Sequence, residues 1–315
     1  MLLSIRRFIK MDNMHVFGFV LNCINKYDPE IRKRKVSNEQ ALKDIEKVLR
    51  SGTSWRHLTP KVGTFSCIHK RFTKWTNKGI FDKAWTELLK LYSVERLSEN
   101  SKWFKDLYID STMVKNIGGT DCVGKNPTDR GRLGTKTSII CDDNLVPLSC
   151  THYGANVADI NTLLGSFDEI KCQIKIDHRC TVNLIGDKGY VSEPHKEILK
   201  SVEINLLTPV RKNALDTSYM SNNIRAKLKK RRKIENVFCR IDKFRKIQLR
   251  RERFIKYFQS WNCLACVIMT MEGLNRLYVD EKVKKIMSTI LTLHHGIILI
   301  PRVLSSSSSR PADPS

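Results

Sequence analysis

The chain has 315 residues, of which 41% are hydrophobic and 28% are charged, and its 56 Lys and Arg against 32 Asp and Glu give a formal net charge of +24. This much apolar sequence excludes a chain that is disordered throughout, and the lack of any run of 18 apolar residues argues against a membrane-spanning helix. The positive charge favours a polyanionic partner, nucleic acid in particular, because Lys and Arg that neutralise phosphates release counterions.

The first 30 residues carry a short apolar run, 16–21, behind a few basic residues, which loosely resembles a secretory signal peptide. No small-residue cleavage site follows the run, and a basic stretch at 31–35 comes soon after it. We therefore interpret residues 1–30 as a helical lead-in that packs against the rest of the chain.

Residues 31–98 follow the pattern of three short helices. After the basic stretch, Ser37 and Gln40 form a capping box that begins the first helix, and Gly52 ends it. Two further helices, each with one apolar face, come before residue 98. This order predicts a small all-α domain that resembles a helix-turn-helix.

Basic side chains cover the face of the second of these helices that we expect to be exposed. We take Lys70, Arg71 and Lys74 as candidate contacts to DNA phosphates or base edges. An ordinary helical bundle with a solvated basic face fits this segment equally well, so the helices alone do not decide between the two interpretations.

A mixed pattern of strands and helices covers residues 99–276. The order strand, hairpin, helix, strand, helix, strand, helix predicts an α/β domain, and it matches a ribonuclease H-like catalytic domain with a mixed sheet flanked by helices. The predicted elements lie at 107–109, 135–141, 145–153, 159–167, 182–185, 203–207 and about 252–275, and a helix that ends at about 201 precedes the strand at 203–207.

The last of these helices carries one C-x-x-C pair, Cys263 and Cys266. This pair has no second pair and no nearby His, so a zinc site is the less favoured interpretation. The ten cysteines follow no regular spacing, which is typical of reduced thiols in an intracellular protein. Residues 277–315 have the composition of a poorly constrained tail.

Three acidic residues stand out by their positions. Asp110 and Asp187 each end a predicted buried strand, and Glu235 begins a helix after the basic run 225–233. Buried acids are costly to leave unpaired, and Mg²⁺ prefers carboxylate oxygens. Two such ions can activate an attacking oxygen and stabilise the leaving oxygen of a phosphodiester. Position alone leaves this undecided, since acids at strand ends also cap helices.

The segments around the three acids resemble the DDE transposases of the IS5 family and related Harbinger-type transposases and nucleases. The resemblance covers most of residues 31–276, and 55–85 is similar to the N-terminal domain of that family. The motifs are YIDST at 108–112, GTK at 134–136, YGANVAD at 153–159, IGDKGY at 185–190 and RRKIENVF at 231–238.

This resemblance implies a ribonuclease H-like catalytic domain in which Asp110, Asp187 and Glu235 are catalytic residues and hold two Mg²⁺ or Mn²⁺ ions. It also implies action on DNA ends as a homodimer or higher oligomer. Two departures concern accessory residues: Leu228 stands where the family often has Tyr, and Lys243 lies one place beyond the usual basic residue.

Other basic residues are candidates for contacts to DNA near the acids. We expect Lys136, Lys188 and Arg231 to contact phosphates, because a fixed cation beside the scissile phosphate offsets developing charge. A solvated surface role is the alternative for each of them. The run 225–233 is expected to follow the DNA backbone, to act as a nuclear localisation signal, or to do both.

The predicted function is therefore that of a DNA transposase, which binds the terminal inverted repeats of an element, cleaves DNA as a metal-dependent endonuclease and transfers the strands to target DNA. Three alternatives are a domesticated or decayed copy that binds DNA without cutting it, a nuclease without strand transfer, and a structural chromatin protein. The expected location is the nucleus in a eukaryotic host and the cytoplasm or nucleoid in a bacterium.

Overall fold

The computed structural model describes residues 16–30, 35–98, 104–171, 181–210 and 221–297. Residues 1–274 form one compact unit and residues 275–315 a second. The basic stretch at 31–34 and the end of the predicted tail from residue 298 lie outside the described residues. No helix in the described ranges is both long enough and apolar enough to span a bilayer.

Four helices and one short 3-10 turn lie in the described ranges 16–30 and 35–98. The predicted cap at Ser37 is confirmed, since its side chain accepts a hydrogen bond from the Gln40 backbone amide, and Gly52 ends the helix with a φ of 69°. The Gln40 side chain donates to Asp44 instead of closing the box. The elements are α1 (Val16–Tyr27), α2 (Asn38–Ser51), the turn Trp55–His57, α3 (Phe65–Asn77) and α4 (Ile80–Ser98).

The N-terminal helices share a core with the last helix of the fold. Phe72 on α3 stacks on Trp261 with ring centroids 4.1 Å apart, and the Trp85 indole on α4 donates to the Thr270 hydroxyl across 3.2 Å. All three aromatic side chains are buried. Large buried aromatic surfaces dominate core energetics, so this seam fixes the N-terminal helices to the sheet-bearing part of the unit.

A seven-stranded mixed sheet forms the centre of the unit, with helices around it. The strand order is β2-β3-β1-β5-β6, with β4 paired to β3 and β7 paired to β1. Pairing with β3 is antiparallel, whereas β1, β5 and β6 are parallel. The strands are β1 (Asp106–Asn116), β2 (Gly124–Lys125), β3 (Leu133–Asp142), β4 (Pro147–Gly154), β5 (Val182–Ile185), β6 (Ile204–Leu207) and β7 (Leu249–Arg250).

The remaining helices follow the sheet strands along the chain. They are α5 (Leu163–Asp168), α6 (Glu193–Ser201), α7 (Asn222–Lys230), α8 (Lys233–Ile241) and α9 (Ile255–Ile297), with 3-10 turns at Asp159–Thr162 and Lys188–Tyr190. This architecture confirms the predicted α/β class, with a mixed sheet flanked by helices and a helical N-terminal region.

Two predicted element boundaries were wrong. The first strand does not end at Asp110, because β3 continues to pair with β1 as far as Lys115 opposite Gly134. The last helix does not end near residue 275 but continues to Ile297. Residues 225–230 of the basic run lie in α7, which the Ser221 side chain caps.

Candidate active site

The parallel pairing of β1 and β5 brings two of the three predicted acids to the same edge of the sheet. Tyr108 on β1 lies opposite Ile185 on β5. Asp110 and Asp187 each follow that pair by two residues, so both carboxylates project beyond the carboxyl end of β5. The carboxyl ends of parallel strands are where open α/β sheets place their ligands.

Asp110 is half-buried and its carboxylate has two donors. The Ser111 backbone amide donates to one oxygen across 2.8 Å, and the Arg231 guanidinium donates to the other, also across 2.8 Å. Burial raises the pKa of Asp110, and the nearby negative charges of Asp187 and Asp159 raise it further, against the opposing effect of those two donors. The carboxylates of Asp187 and Asp159 are therefore close enough to Asp110 to repel its negative charge.

Asp187 begins a 3-10 turn and accepts a hydrogen bond from the Gly189 backbone amide across 2.8 Å. A methyl group placed on Gly189 would lie 3.0 Å from an Asp187 oxygen and 3.0 Å from an Asp159 oxygen. Glycine at this position thus allows the two carboxylates to approach the same stretch of backbone.

Asp159 is a site residue that our sequence analysis missed. One of its oxygens accepts from the Ser111 hydroxyl across 2.7 Å and from the Lys136 ammonium across 2.6 Å. Lys136 is only 2% exposed, so this ion pair lies beneath the site. Asp159 is the last residue of the YGANVAD motif and its only acid. That position in a motif could have identified it as a site residue.

The three basic residues predicted near the acids have different surroundings. Arg231 contacts Asp110 and Lys136 contacts Asp159, so each already pairs with a carboxylate of the site. Lys188 is exposed at the start of the turn that follows Asp187. Arg231 and Lys188 are accessible to a phosphate, whereas Lys136 is placed to orient Asp159.

Glu235 is exposed in the first turn of α8, and its carboxylate has no hydrogen bond or ion pair with another described residue. The structure thus brings Asp110 and Asp187 together and adds Asp159, and Glu235 does not form a metal-holding group with them among the described residues. Within the described ranges, no group of three His, Cys, Asp or Glu side chains is placed to hold a metal ion.

The donor chemistry at this edge nevertheless suits a hard divalent cation. Asp110 and Asp187 offer carboxylate oxygens, which Mg²⁺ and Mn²⁺ prefer. The pKa of Asp110 is raised chiefly by burial and further by the charges of Asp187 and Asp159, even with Arg231 beside it, and a bound cation offsets these effects. The residues present therefore fit a metal on Asp110 and Asp187.

The predicted DNA contacts on α3 are only partly exposed. Lys70 is exposed, and Lys74 is exposed but forms an ion pair of 2.6 Å with Asp28. Burial raises the pKa of Asp28, but hydrogen bonds from Lys74 and its neighbours outweigh this and lower it to about 2.

Arg71 differs from Lys70 and Lys74, because it is only 7% exposed. Its guanidinium donates to the Asn38 side chain across 2.8 Å and to the Val36 carbonyl, and it lies 3.6 Å from Glu30. It links α3 to the start of α2 and has no face left for DNA. We therefore leave Arg71 out of any DNA-binding surface.

The C-x-x-C pair lies in α9 with both cysteines buried. Burial raises the pKa of the Cys263 thiol and of the Cys266 thiol. Both side chains pack in the core.

Two family models match separate parts of the chain. One, described as "Putative transposase of IS4/5 family", matches residues 19–85, and another, described as "Transposase DDE domain", matches residues 150–255. The second segment includes Asp159, Asp187 and Glu235, and Asp110 lies between the two segments.

A relative from Burkholderia cepacia, described as "Putative transposase for insertion sequence element IS402", is 29% identical over 162 residues. The match covers 50% of this chain and 72% of the relative. With the two family models, it confirms the resemblance to IS5-family DDE transposases that the motifs indicate.

Solved structures of two transposases are distantly similar. A piggyBac transposase synaptic complex with hairpin DNA has a TM-score of 0.46 at 9% identity, covering 93% of this chain and 84% of that one. A Mos1 transposase paired-end complex has a TM-score of 0.24 at 8% identity, covering 68% and 81%. Both TM-scores are below 0.5 and do not establish a shared fold. The resemblance to transposases therefore rests on the sequence matches.

Proposed function

We propose that this chain, which resembles the IS5-family DDE transposases in two separate segments, binds the ends of a DNA element, cleaves them and transfers the strands to target DNA. The observation that supports this most is the meeting of Asp110 and Asp187 at one edge of a mixed sheet. A ribonuclease H-like arrangement of the sheet is part of the proposal.

Asp110, Asp187 and Glu235 are the proposed catalytic residues and would hold two Mg²⁺ or Mn²⁺ ions. When bound, such ions supply Lewis acids that lower the pKa of water and stabilise a leaving oxygen. Glu235 is exposed in the structure, in the first turn of α8. Asp159 is a positioning residue: Lys136 and Ser111 hold its carboxylate beside Asp187.

Arg231 and Lys188 are the proposed phosphate contacts beside the acids. Arg231 pairs with Asp110 through one guanidinium nitrogen in the structure. A guanidinium can form two parallel hydrogen bonds to a phosphate, so Arg231 is suited to contact a phosphate when DNA binds. Lys188, exposed next to Asp187, offers a point charge to the same backbone. In both proposed roles, a fixed cation stabilises the negative charge that develops on the phosphate during the reaction.

Double-stranded DNA is the proposed partner, as terminal inverted repeats and as target. Lys70 and Lys74 on the helix-turn-helix-like segment, together with the basic run on α7, supply the phosphate contacts. The proposed acting form is a homodimer or higher oligomer on DNA. In a eukaryotic host the chain would act in the nucleus, and in a bacterium at the nucleoid.

One observation favours a second candidate function, DNA binding without cleavage. The Glu235 carboxylate is exposed and has no partner among the described residues, and Arg231 forms an ion pair with Asp110. A decayed or domesticated copy would keep the basic surfaces and lose the reaction.

A cleavage assay separates the two candidates. The substrate is the genomic DNA that flanks the reading frame, and the proteins are the full chain, Asp187→Asn, and Asp168→Asn as a matched control at an exposed acid on α5. We expect Mg²⁺-dependent cleavage by the full chain and the control, none by Asp187→Asn, and equal DNA binding by all three. Undiminished cleavage by Asp187→Asn would refute the proposed site.

A further inference from the structure

A cleft of about 780 Å³ lies between the turn Trp55–His57, α3 and the start of α9. Its volume is in the range of ligand-binding pockets. It is separate from the edge of the sheet that carries the acids, and none of the residues assigned above to the proposed reaction lines it.

Aromatic rings form the floor and one wall of the cleft. The floor is the buried stack of Phe72 on Trp261. The Trp55 ring, half-buried, lies 5.7 Å from Trp261 and 4.9 Å from the exposed His69 ring. Part of the Trp55 and His69 surface therefore remains uncovered, and flat apolar surface of this kind is where a planar ring stacks.

The polar groups of the cleft leave it with a positive rim. Inside, the Glu252 carboxylate is neutralised, since it accepts from Lys246 across 2.8 Å and from the Trp261 indole across 3.1 Å. At the edge, Arg251 and Arg253 are exposed, and neither guanidinium has a carboxylate partner among the residues that the structure describes. A ligand with an uncharged ring and adjoining negative charge complements this arrangement.

The sheet places the cleft within reach of DNA bound at the acids. Arg250, which precedes the rim, pairs with Asn116 at the end of β1. Asp110 lies earlier on the same strand, roughly 20 Å away at about 3.3 Å per residue. This distance corresponds to about six steps of a DNA duplex at 3.4 Å each.

We propose that this cleft binds one unpaired base of a DNA strand, stacked on Trp55 and His69, while the phosphates on either side of that base contact Arg251 and Arg253. Aromatic side chains beside basic groups are the usual means of holding single-stranded nucleic acid. The inference rests on the proposed function in one respect, that the ligand is DNA, and it does not depend on cleavage.

The test compares two single strands of equal length, oligo(dT) and a strand with abasic sites throughout, by fluorescence anisotropy with the full chain. Both carry the same phosphates, but only oligo(dT) offers bases to stack. We expect the unchanged chain to prefer oligo(dT). Trp55→Leu should bind oligo(dT) about tenfold more weakly, with its affinity for the abasic strand unchanged, and Trp55→Tyr should retain the preference.

Two further variants complete the design. Phe65→Leu, at an exposed aromatic outside the cleft, should leave both affinities unchanged. Arg251→Gln should weaken binding of both strands equally and reduce the salt dependence. Far-ultraviolet circular dichroism establishes that each variant is folded.

The results that would overturn the inference are distinct from those that would overturn the proposed function. Equal affinity of the unchanged chain for the two strands, or an unaltered preference in folded Trp55→Leu, would refute a base in the cleft. Failure of both strands to bind would refute DNA as the ligand. Absence of cleavage by the full chain in the assay described above would count against the proposed catalytic role of the acids and would leave the base-binding inference unaffected.

Discussion

The Arg231 guanidinium donates a hydrogen bond of 2.8 Å to the carboxylate of Asp110 on the central strand β1. Arg231 lies just before α8, and Glu235 lies in the first turn of that helix. The same short segment thus neutralises one acid of the proposed site and carries another. A shift of this segment changes the surroundings of Asp110 and the position of Glu235 together.

Replacing Arg231 by Gln removes the cation that offsets the carboxylates. We expect the free energy of unfolding to fall by about 1 kcal/mol at neutral pH, the upper range for a partly exposed ion pair. Mg²⁺ should raise the Tm of this variant more than that of the unchanged chain, because no cation then competes at Asp110. Thermal unfolding with and without Mg²⁺ measures both effects. Arg232→Gln, at an exposed neighbour, should behave like the unchanged chain, and an equal Mg²⁺ effect in all three proteins would contradict the prediction.

Asp110→Asn should stabilise the protein at neutral pH. The folded state raises the pKa of Asp110 above its ordinary value, chiefly through burial, so ionisation of this carboxyl costs more in the folded state than in the unfolded one. This cost of ionisation is absent at pH values below the ordinary pKa of an aspartate and is fully present at pH values above the raised pKa of Asp110 in the folded state. We therefore expect the difference in Tm between Asp110→Asn and the unchanged chain to be positive and to grow from about pH 4 to neutrality. A difference that shrinks over this range would contradict the sign of the shift.

Gly189→Ala should disable the site and leave the fold intact. The added methyl group would lie 3.0 Å from oxygens of both Asp187 and Asp159, so the two carboxylates must move apart. Since Gly189 is exposed, we expect a loss of stability below about 1 kcal/mol. Cleavage of flanking DNA should fall at least tenfold. Gly18→Ala, which meets no atom within 4 Å on α1, is the control, and undiminished cleavage by Gly189→Ala would argue against a shared role for the two aspartates.

Arg96→Leu should be strongly destabilising. Arg96 on α4 forms an ion pair with Asp142, a fully buried carboxylate at the end of β3 that also accepts from the Tyr92 hydroxyl across 2.6 Å. Removing one member of a buried pair leaves an uncompensated charge, at a cost of about 3–5 kcal/mol. Urea unfolding measures the loss. Arg56→Leu, at an exposed position, is the control and should change stability little. A loss below about 1 kcal/mol for Arg96→Leu would show that the Arg96–Asp142 pair does not hold α4 to the sheet.

Much of the fold was predictable from the sequence because its signals are local. The turn sequence Asp-Asp-Asn at 142–144 predicted the hairpin of β3 and β4, and the segment VNLI at 182–185 predicted β5. The length of β1 was not predictable, because its polar second half is held by pairing with β3, a contact between distant parts of the chain. Local patterns carry no information on such partners.

The site shows the same division between local and distant information. Motifs indicated Asp110 and Asp187, but the approach of Asp159 depends on Lys136 and Ser111, which come from two other strands. Arg71 is the instructive error: it follows Ile68 by three positions on α3, and Phe72 and Trp75 share the same buried stripe. The helical spacing alone places Arg71 on the buried face.

The measurement that tests the account most directly is the binding of Mn²⁺ to the full chain, followed by electron paramagnetic resonance with and without duplex DNA. If Asp110 and Asp187 form one metal-binding centre, the unchanged chain and Asp168→Asn should bind Mn²⁺, and both Asp110→Asn and Asp187→Asn should lose that binding. Retention of the same Mn²⁺ affinity by the Asp110 and Asp187 variants would contradict the shared centre on which the proposed function depends.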